Sequence, residues 1–254
     1  LFSLSSDHQA SPHHDGLAQA EDVALILYTS GTTAQPKMVP LTHANLLASA
    51  ANIAATLRLT DRDHCLNVMP LFHIHGLIGA VLSSVMAGAS VVCTPGFDPE
   101  KFFAWLEQFR PTWYTAVPTM HQAVLSCATE HKGSLRHSSL RFIRSSSAAL
   151  PLRMMQELEE VFRVPVIEAY GMTEASHQIA SNPLPPGTRK ARSVGLPVGV
   201  EVAVMDDEGN FLDASKTGAI VIRGKTVTSG YGNSPEANDA DPLASGPVGS
   251  PGRE

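Results

Sequence analysis

The sequence predicts an α/β fold with a doubly wound, mostly parallel β-sheet and a β-rich C-terminal portion. Short apolar runs alternate with helical patterns along residues 22–192, and such alternation is typical of parallel β-α-β units. From Ser193 onward, alternating apolar residues flank turn-forming residues, which predicts antiparallel strands. The 254 residues, 43% of them hydrophobic, are enough for one large domain with a sizeable core.

The first predicted elements surround a loop rich in hydroxyl residues. An apolar run at 23–27 predicts a buried strand. The loop follows at 28–37, and an Ala- and Leu-rich helix is predicted at 44–57 with Thr42 as its cap. The sequence therefore predicts the order strand, loop, helix.

The same alternation continues through the rest of the α/β region. Asp98 before Pro99 is a strong helix start, because Asp caps free amides and Pro fits the first turn. The predicted strands lie at 65–69, 90–94, 112–117, 140–144 and 164–169, and the predicted helices at 76–87, 99–109, 119–128 and 152–162. Beyond them, two β runs at 200–205 and 218–223 flank a hairpin-like turn at 206–210.

Composition divides the chain into four predicted parts. A polar lead-in occupies residues 1–21, and the α/β core occupies residues 22–192. A β-rich portion follows at 193–232, and the segment 233–254 is rich in Pro, Gly, Ala and Ser. We expect this last segment to be a disordered tail, because such a composition cannot bury enough apolar surface to order itself.

Charge and cysteine usage restrict the function classes. The formal net charge of −6, without a basic block, argues against a nucleic-acid binder. The longest apolar stretch, at 77–92, is interrupted by Gly and Ser, so we expect no membrane span. Cys65, Cys93 and Cys127 are isolated, which predicts buried thiols in a reducing compartment. Because Leu1 begins no signal-peptide pattern, we expect a cytoplasmic location and interpret the chain as a fragment.

The loop at 28–37, YTSGTTAQPK, places several hydroxyl residues and one glycine directly behind an apolar run. Amides and hydroxyls of such a loop can converge on an anion, above all on phosphate, and Lys37 adds a mobile positive charge. The loop is not the common P-loop, because Pro36 precedes the lysine where that motif has Gly. A flexible surface turn is the alternative, but the combination favours a phosphate site.

Three further segments follow predicted strands, where ligands bind in open α/β sheets. In the first, at 70–76, His73 and His75 fit a helix entry, a zinc site with further ligands, or a substrate pocket. In the second, SSSAAL at 145–150, small residues let a flat ligand approach the backbone. The third, EAYGMTE at 168–174, is only partly explained by a capped turn into a helix.

Two of these motifs carry a resemblance to a known family. YTSGTTAQPK and YGMTE resemble the phosphate loop and the Y-G-x-T-E motif of the adenylate-forming superfamily, which includes acyl-CoA synthetases, luciferases and adenylation domains of peptide synthetases. The family usually has Gly where this chain has Ala34. The resemblance extends over residues 22–238 and implies an incomplete large domain of the adenylate-forming fold. The family's T-G-D motif and its small C-terminal catalytic domain are not found in this sequence.

The resemblance implies roles for individual residues. The implied ATP- or AMP-binding residues are Thr29, Ser30, Gly31, Thr32, Thr33, Lys37, Ser147, Ala148, Glu168, Ala169, Tyr170, Gly171 and Thr173. The implied catalytic residues are Lys37, His73, Thr173 and Glu174, and the implied acyl-pocket residues are His75, Ser145, Ser147 and His177. Tyr170 would face the adenine ring, His73 would gate the acyl and CoA passage, and Glu174 would bind Mg²⁺.

The resemblance also implies an activity. Family members adenylate a carboxylate with Mg-ATP and then form a thioester with coenzyme A. The runs WYTAVPTMHQ, LRFIRSSSAAL and EAYGMTEASHQIASNPLPPG look most like the oxalate:CoA ligase group, which implies a small acid such as oxalate. Medium-chain acyl-CoA ligases, other adenylating enzymes and a non-catalytic nucleotide-binding remnant are the alternatives. We expect this chain alone to be weakly active or inactive, and full-length eukaryotic relatives to be cytoplasmic or peroxisomal.

Overall fold

The computed structural model describes residues 16–29, 36–213, 215–234 and 238. The sequence-based predictions for the lead-in up to residue 15, for most of the phosphate loop and for the tail from residue 239 lie outside the described residues.

The described chain contains eleven strands and six main helices. The strands are β1 (Val23–Thr29), β2 (Lys37–Thr42), β3 (His64–Asn67), β4 (Ser90–Cys93), β5 (Trp113–Ala116), β6 (Phe142–Ser145), β7 (Val166–Met172), β8 (His177–Ser181), β9 (Leu196–Pro197), β10 (Glu201–Met205) and β11 (Ala219–Arg223). The helices are α1 (His43–Thr56), α2 (π-helical over His75–Leu82 and α-helical over Ser83–Met86), α3 (Pro99–Phe109), α4 (Pro118–Cys127), α5 (Lys132–Arg136) and α6 (Leu152–Phe162). Single 3₁₀ turns occupy Ala128–Glu130 and Thr173–Ala175.

The main sheet of the described chain has the strand order β4-β3-β5-β6-β7-β8-β9. The pairs from β4 to β7 are parallel, and β8 and β9 add an antiparallel edge. The predicted α/β fold with a mostly parallel sheet is therefore confirmed. The strand β8 was not predicted, because all five of its residues are buried and its sequence shows no alternation of apolar and polar residues.

Helices cover both faces of this sheet, as the doubly wound prediction requires. Neighbouring residues of a strand point to opposite faces, and Trp113 and Tyr114 of β5 belong to different cores. Tyr114 packs with the helices α3, α4 and α6. Trp113 packs with α1 and α2. Both side chains are fully buried, so the carboxyl ends of the central strands are held in fixed positions.

The first strand differs from its prediction. We predicted a buried strand at 23–27, but Val23 is 54% exposed and Ile26 is 48% exposed. The reason is that β1 pairs only with β2, in a separate two-stranded sheet. The loop at 28–37 therefore joins two antiparallel strands, and the predicted order strand, loop, helix is wrong because β2 precedes α1.

The predicted helix cap at Thr42 is confirmed. The Thr42 hydroxyl accepts the Asn45 amide at 3.1 Å, and the Asn45 side chain accepts the Thr42 amide at 2.9 Å. This reciprocal capping box satisfies two backbone donors at the start of α1. The predicted cap at Asp98 is also confirmed, since its carboxylate accepts the amides of Glu100 and Lys101.

Of two further segments, one corrects the sequence-based prediction and the other confirms it. The strand predicted at 164–169 continues to Met172, because β8 pairs with the residues after Ala169. Tyr170 and Gly171 therefore lie within β7 and not in a loop after it. The antiparallel hairpin predicted for the β-rich portion is confirmed by the pairing of β10 with β11.

The prediction of three buried thiols is wrong for two of them. Cys65 is buried in β3, but Cys93 is exposed and Cys127 is partly exposed, and all three are free. Cys93 ends the edge strand β4, and Cys127 is the last residue of α4, so neither is fully covered. Among the described residues, no helix has both the length and the apolar character needed to cross a bilayer.

Candidate functional site

The carboxyl ends of the central strands and the β1–β2 arm surround a cavity of about 380 Å³, called here the central cavity. The residues that line it are Thr29, Lys37, His73, Ile74, Ser147, Gly171, Met172, Thr173, Glu174, His177 and Tyr231. Both described ends of the phosphate loop thus face the same space as the Y-G-x-T-E motif. Ser30, Gly31, Thr32 and Thr33 lie outside the described residues.

A second cavity of about 580 Å³, called here the outer cavity, shares Ser147 and Gly171 with the central cavity. The other residues that line it include Ala148, Ala149, Glu168, Ala169, Tyr170 and Val194. Six residues predicted to bind the nucleotide by family resemblance thus line this cavity, counting the shared Ser147 and Gly171. The shared wall gives the two cavities a common boundary at the end of β7.

Glu168 forms part of the outer-cavity wall. Its carboxylate is buried and accepts the backbone amide of Leu150 at 3.0 Å. Ser146 is also buried, and its hydroxyl donates to the Ala169 carbonyl at 3.0 Å. These two bonds hold the small-residue segment after β6 against β7. The segment is thereby kept in a fixed place beside Tyr170.

Lys37 and Glu174 are connected through Tyr231. The Lys37 ammonium lies 4.7 Å from the centre of the Tyr231 ring, within cation–π range. The Tyr231 hydroxyl donates to the Glu174 carboxylate at 3.0 Å. Sequence reasoning did not name Tyr231 as a site residue, although it lies in a segment covered by the family resemblance.

Asn233 holds the end of the phosphate loop next to this group. Its side-chain oxygen accepts the Met38 amide at 2.7 Å, and its side-chain amide donates to the Pro36 carbonyl at 3.0 Å. The Gly232 amide donates to the Met38 carbonyl at 2.9 Å. The segment after β11 therefore fixes the start of β2, and with it the position of Lys37.

His75 lies behind the wall of the central cavity and not on it. Its side chain is fully buried, with Nδ1 3.0 Å from the Ser147 hydroxyl and Nε2 2.6 Å from the Thr115 hydroxyl. The ring stacks on His177 with centroids 5.0 Å apart. Burial, the neighbouring His177 and the charge of Arg144 lower the pKa of His75 well below its ordinary value of 6.5, so the ring is neutral at pH 7.

Of the remaining predicted acyl-pocket residues, two line the central cavity. Ser147 and His177 do so, with backbone φ angles of +71° and +102°, which are rare for residues with a side chain. Burial lowers the pKa of His177 well below 6.5, with Arg144 adding to the effect. Ser145 is fully buried behind the wall, and His73 lies at the exposed mouth.

Arg144 is a fully buried cation behind His75. It donates to the Thr115 hydroxyl at 3.4 Å and to the Gln178 side-chain oxygen at 3.0 Å. Within the described part of the chain it has no carboxylate partner. Burial lowers its pKa to about 10, so it keeps its charge at pH 7. Sequence reasoning missed Arg144 and Thr115, which appeared only as members of longer matching runs.

A protein-family model described as AMP-binding enzyme matches residues 3–232. The chain belongs to this AMP-binding enzyme family. The resemblance to the adenylate-forming superfamily is therefore confirmed.

Two curated members of the AMP-binding family are similar to this chain. It is 48% identical over 223 residues to an oxalate–CoA ligase of Saccharomyces cerevisiae, which covers 88% of this chain and 40% of the relative. It is 48% identical to an oxalate–CoA ligase of Arabidopsis thaliana, with 87% of this chain and 43% of the relative covered. The chain thus spans about two fifths of the length of these relatives.

A solved member of the AMP-binding family has the same fold. ATP-bound MatB from Rhodopseudomonas palustris superposes with a TM-score of 0.78 and 32% identity, covering 86% of this chain and 43% of that chain. The predicted incomplete large domain of the adenylate-forming fold agrees with this coverage.

Glu174 is the residue predicted to bind a metal in this AMP-binding fold. No group of three or more His, Cys, Asp or Glu side chains suited to a metal occurs among the described residues. A single oriented carboxylate on the cavity wall fits a magnesium ion that takes its other ligands from phosphates and water. The fit therefore depends on a nucleotide being bound in the same cavity.

Proposed function

We propose that this chain provides the nucleotide- and acyl-binding part of an ATP-dependent acyl-CoA synthetase acting on a small acid such as oxalate. The observation that carries the proposal is the shared central cavity. Thr29 and Lys37, at the two ends of the phosphate loop, meet Thr173 and Glu174 there. The residues 22–192, 193–232 and 233–254 would be the core, the β-rich portion and the tail of this unit.

We propose that the nucleotide spans both cavities. The purine would lie in the outer cavity against the Tyr170 ring and beside Ala148, where small side chains admit a flat ligand. The phosphates would pass the shared wall at Gly171 into the central cavity. There the hydroxyls and backbone amides of residues 29–33 and the Lys37 ammonium would contact the triphosphate.

The first step would be adenylation. A carboxylate oxygen of the acid forms a bond to the α-phosphorus of ATP, the bond from that phosphorus to the bridging oxygen breaks, and pyrophosphate leaves. Lys37 would balance the developing negative charge, and the Thr173 hydroxyl would donate to the α-phosphate. Magnesium, when bound, supplies charge neutralisation between phosphates, and Glu174 would hold it.

The second step would transfer the acyl group. The coenzyme A thiolate forms a bond to the acyl carbon, the bond from that carbon to the phosphate oxygen breaks, and AMP leaves. His73 lies at the exposed mouth of the central cavity, where an approaching thiol would pass. Positioning of the thiolate against the acyl carbon would contribute to the rate of this step.

The polar end of the central cavity supports a small acid. Ser147 and His177 are the polar residues at that end, and His75 lies directly behind both. A hydroxyl and a neutral imidazole bind carboxylate oxygens, whereas a long acyl chain requires an apolar channel. The two similar oxalate–CoA ligases support oxalate as the acid.

The test uses the full-length protein that contains this chain. We expect acid-dependent exchange of pyrophosphate with ATP to be faster with oxalate than with malonate or octanoate. Ser147→Ala removes one hydrogen bond to the acid, so we expect the KM for oxalate to rise about tenfold, the equivalent of about 1.4 kcal/mol, with the KM for ATP unchanged. Ser126→Ala, on the exposed face of α4, is the matched control.

Three outcomes would contradict the proposal. Faster exchange with octanoate would assign a medium-chain acid instead. Absence of exchange with every acid, together with heat of ATP binding in calorimetry, would indicate a nucleotide-binding remnant. No heat with ATP or AMP would contradict the nucleotide site itself.

A further inference from the structure

Four side chains form a continuous hydrogen-bonded chain from the protein interior to the central cavity. It begins at Arg144, passes through the Thr115 hydroxyl at 3.4 Å, and reaches His75 Nε2 at 2.6 Å from that hydroxyl. It ends at Ser147, whose hydroxyl lies 3.0 Å from His75 Nδ1. Arg144, Thr115 and His75 are fully buried, and only Ser147 lines the cavity.

The charge at the inner end determines which way the protons point. A guanidinium has only donors, so Arg144 donates to Thr115 and occupies one lone pair of that hydroxyl. The cation also favours a Thr115 dipole with its proton directed away from it, toward His75. A neutral imidazole carries one proton, so a ring that accepts at Nε2 must donate from Nδ1 to Ser147.

We propose that Arg144 and Thr115 are positioning residues that fix the tautomer of His75, so that Ser147 presents its hydroxyl proton to the acid carboxylate. In this arrangement each hydroxyl of the chain accepts one hydrogen bond and donates one. The proposal rests on the proposed function, because it concerns recognition of the acid in the central cavity.

The reverse orientation of the hydrogen bonds between Thr115, His75 and Ser147 is less favourable in the same geometry. If His75 donated from Nε2, the Thr115 oxygen would accept from both Arg144 and His75. Ser147 would then donate to Nδ1 and turn its lone pairs toward the incoming anion, which is repulsive. The lowered pKa of His75 supports a neutral ring with a single proton, as the chain requires.

Arg144 also fixes the orientation of a second side chain. Its Nη2 donates to the Gln178 oxygen at 3.0 Å, and the Gln178 amide donates to the Thr56 hydroxyl at 3.4 Å. The Thr56 hydroxyl in turn donates to the Asn52 carbonyl at 2.7 Å. In both branches the donated protons therefore point away from the guanidinium. This agrees with a buried cation that orients the hydrogen bonds of its neighbours.

The first test compares two substitutions at one position in the full-length protein. Thr115→Val keeps the shape and removes the hydroxyl, and we expect the KM for oxalate to rise about tenfold with the KM for ATP unchanged. Thr115→Ser restores the hydroxyl, and we expect it to bring the KM for oxalate back to within about twofold of the unsubstituted protein. An unchanged KM in Thr115→Val would overturn the proposal.

Thr226→Val is the matched control for removing a buried threonine hydroxyl. Thr226 is fully buried, and its hydroxyl has no hydrogen-bond partner among the described residues. We expect this variant to change the KM for oxalate by less than about twofold. A rise equal to that of Thr115→Val would show a general packing effect and would overturn the proposal.

The second test measures the tautomer directly and needs no catalysis. In protein labelled with ¹⁵N at histidine, we expect His75 to be protonated at Nδ1 and not at Nε2, with His75→Gln used to assign its signals. Arg144→Gln should introduce the Nε2 form. Protonation at Nε2 in the unsubstituted protein would overturn the inference, whether or not oxalate proves to be the acid.

Discussion

At the scale of single residues, Tyr231 contacts two charged groups with two different parts of its side chain. Its ring faces the Lys37 ammonium, and its hydroxyl donates to Glu174. Removing the hydroxyl alone therefore separates the two contacts. The ring can still hold the lysine while the carboxylate loses one of its orienting bonds.

We expect Tyr231→Phe to lower the kcat of adenylation about tenfold or more, because a hydrogen bond to a charged group is worth about 1.5 to 3 kcal/mol. The measurement is pyrophosphate exchange in the full-length protein at saturating ATP and acid. Tyr28→Phe is the control, since Tyr28 is exposed and its hydroxyl, within the described part of the chain, has a 3.6 Å contact with the Met38 sulfur alone. Equal rates for both variants would argue against a role for the Tyr231 hydroxyl.

Sequence reasoning predicted some of the site residues and missed others. Thr173 and Glu174 were named because they belong to a short contiguous motif. Tyr231 was not named, because its contact with Glu174 joins residues 57 positions apart. The contact between His75 and Thr115 joins residues 40 positions apart. Such roles arise from packing between separate elements, which no local pattern encodes.

At the scale of elements, the π-helical part of α2 packs closely against the start of β8. Gly79 lies on this helix, and a Cβ atom placed there would be 2.6 Å from His177 Nε2 and 3.3 Å from the His75 ring. Wide π-helical turns occur often at functional sites. Here the absence of a side chain at Gly79 leaves room for the stacked pair of imidazoles.

We expect Gly79→Ala to lower the free energy of unfolding by about 1 to 3 kcal/mol, because the added methyl must displace a buried ring. Urea unfolding of this chain measures the change. Gly133→Ala in α5 is the matched control: no heavy atom lies within 4 Å of a Cβ added there, and alanine stabilises a helix by about 0.5 to 1 kcal/mol over glycine. Equal stability of Gly79→Ala and the unsubstituted chain would contradict the packing argument.

The prediction of helices and strands was correct where neighbouring residues alone determine the element. The caps at Thr42 and Asp98 and the helix at 152–162 follow from neighbouring residues, and the structure confirms all three. The exposure of β1 and the antiparallel strand β8 depend on which partner each strand finds. Pairing with another strand determines whether an apolar run is covered, so sequence reasoning located β1 but predicted the wrong burial for it, and it missed β8.

At the scale of the whole molecule, three buried histidines make stability depend on pH. Burial lowers the pKa of His75 and His177 well below 6.5, and the pKa of His121 to about 4. The unfolded chain therefore takes up protons below about pH 6.5 that the folded chain does not, so stability falls as pH falls. Each histidine contributes up to about 1.4 kcal/mol per pH unit.

We expect the free energy of unfolding to be nearly constant from pH 8 to 7 and to fall by up to about 4 kcal/mol by pH 5.5. Urea unfolding of the chain at a series of pH values measures this. His177→Gln removes one of the three groups, so its slope below pH 6.5 should be shallower by about 1.4 kcal/mol per unit. A flat profile down to pH 5.5 would contradict neutral burial of these rings.

The contact between β7 and β8 at Gly171 has a consequence for redesign of the proposed acid site. A side chain at Gly171 would overlap the His177 carbonyl, so the two backbones touch there. Tyr170 is proposed to contact the purine, and His177 is proposed to contact the acid. Main-chain geometry thus sets the distance between these two residues. We therefore expect that substitutions at Ser147 alter the preference for the acid and leave the position of the nucleotide base unchanged.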